Sequence, residues 1–247
     1  IEVDEAVINL TSPVEFLGQS PALHVGRMYV PFGMFNSAMI SDPLTLELGE
    51  TQDTAVLFAL EGDDWSFKTG AFNGETDTDD DHDNIDSWLV SLEVAAGENL
   101  RFGASYISDM AESDIELVQD ATLYSSDVAG ASAFLSAHYG QFGFEAEYLA
   151  ALDDFDSAVV ATGEDLTGSR PEAWTLELAW MPADRLQVVA RYEDAKDFQD
   201  DVRRYGATVS YGVYEQLVVA LEYLHADAKV DEDDPLNVVT AQLALEF

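Results

Sequence analysis

The sequence feature that most restricts the possible folds is an alternation of apolar with polar or small residues. It is repeated along almost the whole chain. Near the C-terminus, Val239, Leu243 and Leu245 fall on one face, whereas Thr240 and Gln242 fall on the other. A period of two is typical of β-strands whose two faces meet different surroundings. Several of the repeated segments have the roughly 9 to 11 residues that a tilted strand needs to cross a bilayer. The alternation therefore predicts an antiparallel all-β protein.

The same pattern divides the chain into thirteen predicted strands. They lie near residues 1–10, 22–30, 53–61, 65–73, 86–95, 99–108, 129–139, 141–150, 171–181, 185–195, 203–213, 216–226 and 235–247. The connections between them alternate in length: short turns such as Gly62–Asp64 and Gly140–Gln141 alternate with long acidic segments near 109–128 and 151–170. Outer-membrane barrels have short periplasmic turns and longer external loops.

Aromatic side chains cluster at the ends of the predicted strands. The set is Trp65, Trp88, Trp180, Tyr106, Tyr139, Tyr148, Tyr192, Tyr211 and Tyr223. Tryptophan and tyrosine prefer the boundary between membrane and water, where the ring is buried and its polar group stays hydrated. A soluble β-sandwich also alternates, but it does not require these aromatic ends. The pattern therefore favours a membrane barrel over a sandwich.

Composition narrows the function classes. The chain carries 49 Asp and Glu against 10 Lys and Arg, a formal net charge of −39, which argues against a nucleic-acid partner. It contains no cysteine, which excludes disulfides, zinc-thiolate sites and thioether-attached haem on this chain. No segment approaches the roughly 18 to 20 consecutive apolar residues of a spanning helix. The excess of acids also fits a saline habitat.

These features together predict a porin-type transmembrane β-barrel in the outer membrane. We expect a single domain, 1–247, with 12–16 strands and a final strand that ends in the aromatic Phe247. Bacterial single-chain barrels have even strand numbers, whereas thirteen segments are predicted. Either an N-terminal portion precedes the chain, giving 14 or 16 strands, or residues 1–10 do not span and the barrel has 12.

One segment resembles a known family. The run LHVGRMYVPFGMFNSAMISDPLTLELGETQDTAV, residues 23–56, resembles the LbtU-type siderophore porins and, more loosely, the phosphate-selective porin superfamily. In that superfamily a strand with a Gly-Arg or Gly-Lys pair leads into Pro-Phe-Gly. The resemblance implies an outer-membrane porin, trimeric in the wider superfamily, that moves a small solute or a ferric-siderophore complex. The few basic residues of the chain do not fit phosphate selectivity.

Residues 31–51 form an external connection by this topology, yet they carry many apolar side chains. Solvated loops seldom expose so much apolar surface, so burial favours packing them against the protein. One hypothesis is that the segment folds into the lumen and narrows it; the other is that it packs on the rim or against a second subunit. The residues predicted for the constriction are Met34, Phe35, Asp42, Glu47 and Glu50.

Alternation also places charged side chains on the lumen face. The predicted pore-lining residues are Lys68, Arg101, Arg191, Arg204, Glu93, Glu145, Glu147, Glu177, Glu193 and Glu222. Charged rings in a pore act on ions through a focused field, and the excess of acids predicts a weak cation preference. The alternative is that these groups form salt bridges that brace the wall.

The densest acidic run is a predicted external loop, residues 75–86. Carboxylates bind Ca²⁺ or Mg²⁺, which makes Asp77, Asp79, Asp81 and Asp83 candidate ligands. The run lacks the glycine and the terminal glutamate of an EF-hand, so a solvated loop that binds divalent cations loosely and bridges lipopolysaccharide is the other interpretation. We expect no other cofactor.

The leading functional hypothesis is a diffusion channel. The alternative is a structural barrel that sheathes or docks a periplasmic or extracellular partner, such as an electron-transfer cytochrome. The four histidines, at positions 24, 82, 138 and 225, are scattered, and no nucleophile motif accompanies them. The sequence therefore predicts no enzyme. The expected surroundings are outer-membrane lipid and lipopolysaccharide.

Overall fold

The computed structural model describes residues 4–74, 76, 85–115, 117–118, 124, 126–155, 168–228 and 235–245. Thirteen strands form one antiparallel sheet in which each strand pairs with its neighbours in sequence. They are β1 (Ala6–Thr11), β2 (Ala22–Tyr29), β3 (Gln52–Glu61), β4 (Trp65–Phe72), β5 (Ser87–Ala95), β6 (Leu100–Ile107), β7 (Gly130–Tyr139), β8 (Phe142–Ala151), β9 (Glu172–Ala183), β10 (Leu186–Lys196), β11 (Arg203–Tyr214), β12 (Leu217–Asp227) and β13 (Leu236–Leu245).

The all-β antiparallel fold and the thirteen predicted strands are confirmed, with shifts of a few residues at strand ends. Strand β1 begins later than predicted, at Ala6, and pairs with β2 from Ala6↔Arg27 to Thr11↔Ala22. Within the described ranges, no pairing joins β1 to β13, which are the two edges of the sheet. The terminal Phe247 lies outside the described residues.

The sheet curves around side chains and a loop that lie on one of its faces. A single apolar cluster brings together residues from strands that are far apart in the sheet, including Met28 of β2, Phe72 of β4, Ile107 of β6 and Leu149 of β8. A flat sheet could not bring these side chains into one core. The concave face therefore encloses a lumen, and the convex face is the outer wall.

The outer wall carries a band of exposed apolar side chains. Residues of this band are Leu92, Phe102, Leu135, Leu178, Val209, Leu221 and Leu243. Rings flank it at one end, where Trp88 lies 4.9 Å from Tyr106 and Trp174 lies 5.2 Å from Tyr192, measured between ring centroids. Such a band with aromatic ends is suited to a bilayer, since its backbone groups are already paired within the sheet.

The connection between β2 and β3 is the main non-strand element, and we call residues 31–51 the inserted loop. It contains the helix α1 (Leu44–Gly49), which was not predicted from the sequence. Two short 3-10 turns, Met110–Glu112 and Gln199–Asp201, lie in other connections at the same end of the sheet. None of the helices in the described ranges combines the length and apolar character that a membrane-spanning helix needs.

Candidate functional site

The inserted loop lies on the concave face, inside the lumen. Its helix α1 contacts β8, β9 and β10, and Leu44 and Leu48 are fully buried. The backbone amide of Gly33 donates to the Ser105 hydroxyl of β6. Of the two arrangements proposed for this segment, the structure has the loop folded inward.

The first half of the loop is fixed by wall glutamates that accept hydrogen bonds from its backbone. The amides of Met34 and Phe35 donate to the two carboxylate oxygens of Glu147, at 2.7 and 2.8 Å. The amide of Ala38 donates to Glu177 at 2.7 Å. Amide hydrogen bonds to a carboxylate are about twice as strong as those between neutral groups. The wall therefore holds the path of the loop through its main chain.

The second half of the loop repeats this arrangement on the next strands. The amides of Ile40 and Ser41 donate to one Glu222 oxygen of β12, at 2.6 and 3.2 Å. The amide of Leu44, at the start of α1, donates to Glu193 of β10 at 2.7 Å. Because these donors are backbone groups, the contacts depend on the shape of the loop and not on the identity of its side chains.

Arg191 of β10 fastens the middle of the loop. Its Nη1 donates to the Ser41 carbonyl at 2.7 Å and to the Ser37 hydroxyl at 3.1 Å. Its Nη2 donates to the Ser41 hydroxyl at 2.6 Å and to the Asp42 carbonyl at 3.3 Å. Its Nε lies 3.0 Å from a Glu193 oxygen, and both side chains are 0% exposed. The guanidinium thus joins strand, loop and a buried carboxylate.

The predicted constriction residues lie at several depths of the loop. Met34 and Phe35 contact Glu147 through their amides. Glu47 pairs with Arg204 of β11 at 2.5 Å and accepts from the Gln199 side chain at 2.6 Å. Glu50 ends α1, and its pKa is raised by burial and then by neighbouring acids, chiefly Asp114 and Asp42. Their role in a constriction remains a prediction.

The ten predicted pore-lining residues all project from the concave face, but they divide into two groups. One group is covered by the inserted loop or its side chains and consists of Arg191, Arg204, Glu147, Glu177, Glu193 and Glu222. The other group lies nearer the end with the short turns and comprises Lys68, Glu93, Arg101 and Glu145. The sequence could not separate these groups, because alternation gives the face of a residue but not what covers it.

The open group contains ion pairs. Lys68 lies 3.4 Å from Glu61, with the lysine side chain 36% exposed, and Arg101, 53% exposed, pairs with Glu93 on the adjacent strand. Beside the loop, Asn36, Glu145, Glu177 and Gln187 line a cavity of about 220 Å³. A larger cavity of about 700 Å³ shares Gln187 and reaches the turns at this end. The lumen below the loop therefore contains open space whose walls include charged and other polar side chains.

The opposite, outer part of the lumen is filled with apolar side chains. Buried residues there are Phe32, Leu44, Leu48, Phe72, Leu89, Ile107, Met110 and Leu149. They come from strand ends, from the inserted loop and from the connection after β6. This packing was not predicted, although the many apolar side chains of residues 31–51 are a signal for it.

A buried aspartate organises the connection after β6. One Asp109 oxygen accepts from the Ala111 amide at 2.9 Å, from the Tyr124 hydroxyl at 2.5 Å and from the Val128 amide at 3.3 Å. Burial raises the pKa of Asp109 to about 6, although these hydrogen bonds act in the opposite direction. Burial and the adjacent Asp109 also raise the pKa of Tyr124.

The raised pKa of Asp109 predicts that this connection is less stable at neutral than at acidic pH. The pKa of an ordinary aspartate is 3.8, so the folded form binds a proton more tightly than the unfolded form. Its contribution is complete below about pH 4 and is lost as pH rises through about 6, a difference of about 3 kcal/mol. Replacing Asp109 by asparagine keeps an acceptor and removes the charge.

Hydrogen exchange of residues 107–130, expressed as protection factors, measures this effect. In the unchanged protein, protection should fall from about pH 4 to about pH 6 and level off above that, and in Asp109→Asn it should stay nearly constant. Asp153→Asn changes an exposed residue of a different connection. This variant is the control and should keep the original pH dependence. A pH dependence that persists in Asp109→Asn would show that another group titrates.

The candidate divalent-cation ligands Asp77, Asp79, Asp81 and Asp83 lie outside the described residues. Within the described ranges, no group of three or more His, Asp or Glu side chains has an arrangement that could hold a metal ion.

The sequence matches no family model. A UPF0422 protein of Coxiella burnetii is 26% identical over 264 aligned positions, which cover 90% of this chain and 55% of the relative. The chain thus spans about half the length of that relative.

Solved structures share the fold at low sequence identity. The outer-membrane channel DcaP of Acinetobacter baumannii has a TM-score of 0.63 at 11% identity, covering 91% of this chain and 72% of that one. An anion-selective porin from Comamonas acidovorans has a TM-score of 0.58 at 12% identity, covering 92% and 73%. OccK8 of Pseudomonas aeruginosa has a TM-score of 0.54 at 10% identity, covering 91% and 68%. With its apolar outer band and aromatic ends, the chain has the antiparallel β-barrel fold of outer-membrane porins.

Proposed function

We propose that the protein is an outer-membrane channel for small solutes whose lumen is narrowed by the inserted loop. The observation that carries this proposal is the attachment of the loop to the wall through backbone amides and the glutamates of β8, β9, β10 and β12. A loop held in this way has a fixed position across the lumen. The proposal assigns passive passage and no catalysis.

The distribution of polar and apolar groups supports a narrow passage. The outer lumen is packed with apolar side chains, whereas the part below the loop contains cavities of about 220 and 700 Å³ whose walls mix polar and apolar groups. A solute entering from the short-turn end meets this open space before it meets the loop. The gap beside the inserted loop is then the narrowest point of the pore, and it limits the rate of passage.

We propose a weak cation preference for this channel. The accessible bases Lys68 and Arg101 are each paired with a glutamate, so they nearly cancel. Glu145 adds a carboxylate that no base pairs with among the described contacts; it accepts from the Ser136 hydroxyl at 2.8 Å. The remaining field is weakly negative, and mixed charges of this kind give modest selectivity.

Single-channel recording in planar bilayers tests the channel. We expect small steps from the unchanged protein and larger, noisier steps from Glu147→Gln. The amides of Met34 and Phe35 each need an acceptor oxygen at position 147. A glutamine offers one oxygen and one donor nitrogen, so one of the two bonds is lost and the first half of the loop is loosened. A several-fold rise in conductance is the expected result.

Glu93→Gln is the matched control, because Glu93 lies on the same face and pairs with Arg101 instead of the loop. It should change the reversal potential in a salt gradient with little change in conductance. Folded protein that gives no current in either the unchanged form or Glu147→Gln would contradict the channel.

The transported solute is part of the same proposal. The resemblance of residues 23–56 to siderophore porins supports either a small solute or a ferric-siderophore complex. Swelling of protein-containing liposomes in solutes of increasing size separates the two, because a ferric siderophore is much larger than a sugar or an amino acid.

The same resemblance supports a homotrimer in lipid and lipopolysaccharide, which chemical cross-linking in native membranes would test.

A sealed structural barrel is the second candidate function. The apolar packing of the outer lumen favours it, since such packing excludes water. In this case the barrel would enclose or dock a partner protein, for example an electron-transfer cytochrome. The bilayer recordings above distinguish the two, because a sealed barrel conducts in neither variant.

A further inference from the structure

The connection between β1 and β2, residues 12–21, differs from every other described turn at its end of the barrel. The others contain two to four residues and are polar or contain glycine: 62–64, 96–99, 140–141, 184–185 and 215–216. The 12–21 turn is longer and carries three exposed apolar side chains. Val14 is 71% exposed, Phe16 56% and Leu17 74%. Such side chains at the tip of a turn are costly in water.

The turn is an ordered structure. Phe16 and Gln19 form a β-bridge with two hydrogen bonds, N to O, of 2.7 and 3.0 Å. The Ser12 amide donates to the Pro21 carbonyl at 2.8 Å, and the Val14 amide donates to the Ser12 hydroxyl at 3.1 Å. Leu17 has a φ of +54°, a conformation that a leucine side chain disfavours. The fold thus holds a strained leucine at the outermost point of the turn.

The base of the turn adjoins the lipid-facing wall through Ser12 and Pro21. Directly above it, Leu10, Leu23 and Phe58 line an open groove of about 280 Å³ on the outer surface of β1, β2 and β3. The remaining lining residues are Thr11, Ser12, Pro21 and Ala22, and none is charged. Leu10 pairs with Leu23, and Leu23 pairs with Phe58, so the three side chains stand side by side on one face.

We propose that the 12–21 turn is an interfacial anchor that inserts Val14, Phe16 and Leu17 into the inner leaflet, with a phospholipid acyl chain in the groove above. The groove lies between the base of the turn and the apolar outer face, and its uncharged lining favours lipid as the occupant. Apolar side chains at a membrane boundary gain free energy when they enter the acyl region. The anchor would set the depth of this side of the barrel.

The sequence contains no cysteine, so a single introduced cysteine can be labelled without labelling of other sites. A single cysteine at Phe16 is labelled with an environment-sensitive fluorophore, and the protein is reconstituted into phosphatidylcholine vesicles with or without brominated chains. Glu98→Cys is the matched control, because Glu98 lies in a polar turn at the same end. Migration of the unheated protein on gels verifies that both variants are folded.

We expect brominated lipid to quench the label at position 16 at least threefold more than the label at 98, and aqueous iodide to show the reverse order. Equal iodide quenching at the two positions would place the turn in water and overturn the proposal. A label at 16 that neither quencher reaches, in protein that cross-links to itself, would show that a second copy covers the turn, which also overturns it.

Discussion

Replacing Arg191 by methionine should destabilise the folded barrel by about 3 to 5 kcal/mol, the usual cost of leaving one member of a buried ion pair without its partner. Methionine fits the hydrocarbon part of the site but supplies no charge for Glu193, which is 3.0 Å from Arg191 Nε and 0% exposed. It also leaves the carbonyls of Ser41 and Asp42 without their donor. The middle of the inserted loop should then become mobile.

Urea unfolding in detergent micelles, followed by tryptophan fluorescence, measures the stability of Arg191→Met. Arg101→Met is the matched control: it removes an arginine from the same face, but that side chain is 53% exposed, so the expected loss is below about 1 kcal/mol. Changing Glu193 to leucine in the Arg191→Met background removes the unpaired charge and should recover part of the loss. Equal unfolding midpoints for the two single variants would contradict a role for Arg191 in holding the loop.

The faces of the strands could be predicted from the sequence because two faces with different surroundings impose a period of two. Every residue assigned to the lumen by alternation, from Lys68 to Glu222, projects from the concave face. This signal is local and needs no knowledge of how the sheet closes. The same holds for the inserted loop, whose apolar content alone indicated that it had to pack against something.

The roles of the lumen glutamates could not be predicted in the same way. Glu147 and Glu145 are two residues apart on β8 and share a face, yet Glu147 binds the backbone of the loop and Glu145 adjoins open space. The difference depends on the path of residues 34–44, which contact strands more than 100 positions further along the chain. Alternation carries no information about such a path.

The helix α1 and the apolar outer lumen were missed for related reasons. Six residues, Leu44–Gly49, are too few for a helical period to stand out. No side chain caps the helix at Pro43, so the usual start signal is also absent. The helix is stabilised instead by burial of Leu44 and Leu48 and by the bond from the Leu44 amide to Glu193.

Replacing Gly26 by alanine should detach β1 from the sheet. Gly26 has a φ of +143°, and a Cβ built on it would lie 2.0 Å from the Ala6 carbonyl oxygen of β1. The Gly-Arg pair that resembles siderophore porins thus has a structural reason: only glycine lets β1 approach β2 at this point. The overlap and the backbone strain together cost roughly 3 kcal/mol.

Strand β1 is the element that would give way, because among the described residues it pairs with β2 alone, over Ala6–Thr11. Hydrogen exchange of residues 4–12 should therefore become fast in Gly26→Ala, while protection in β7 to β12 stays unchanged. Gly97→Ala is the control, since Gly97 also has a positive φ, +72°, but a Cβ there meets nothing within 4 Å. That variant should lose about 1 kcal/mol locally and leave β1 protected. The two variants could instead protect residues 4–12 equally. That result would show that a small shift relieves the contact with Ala6, and that the glycine is required for its backbone angle alone.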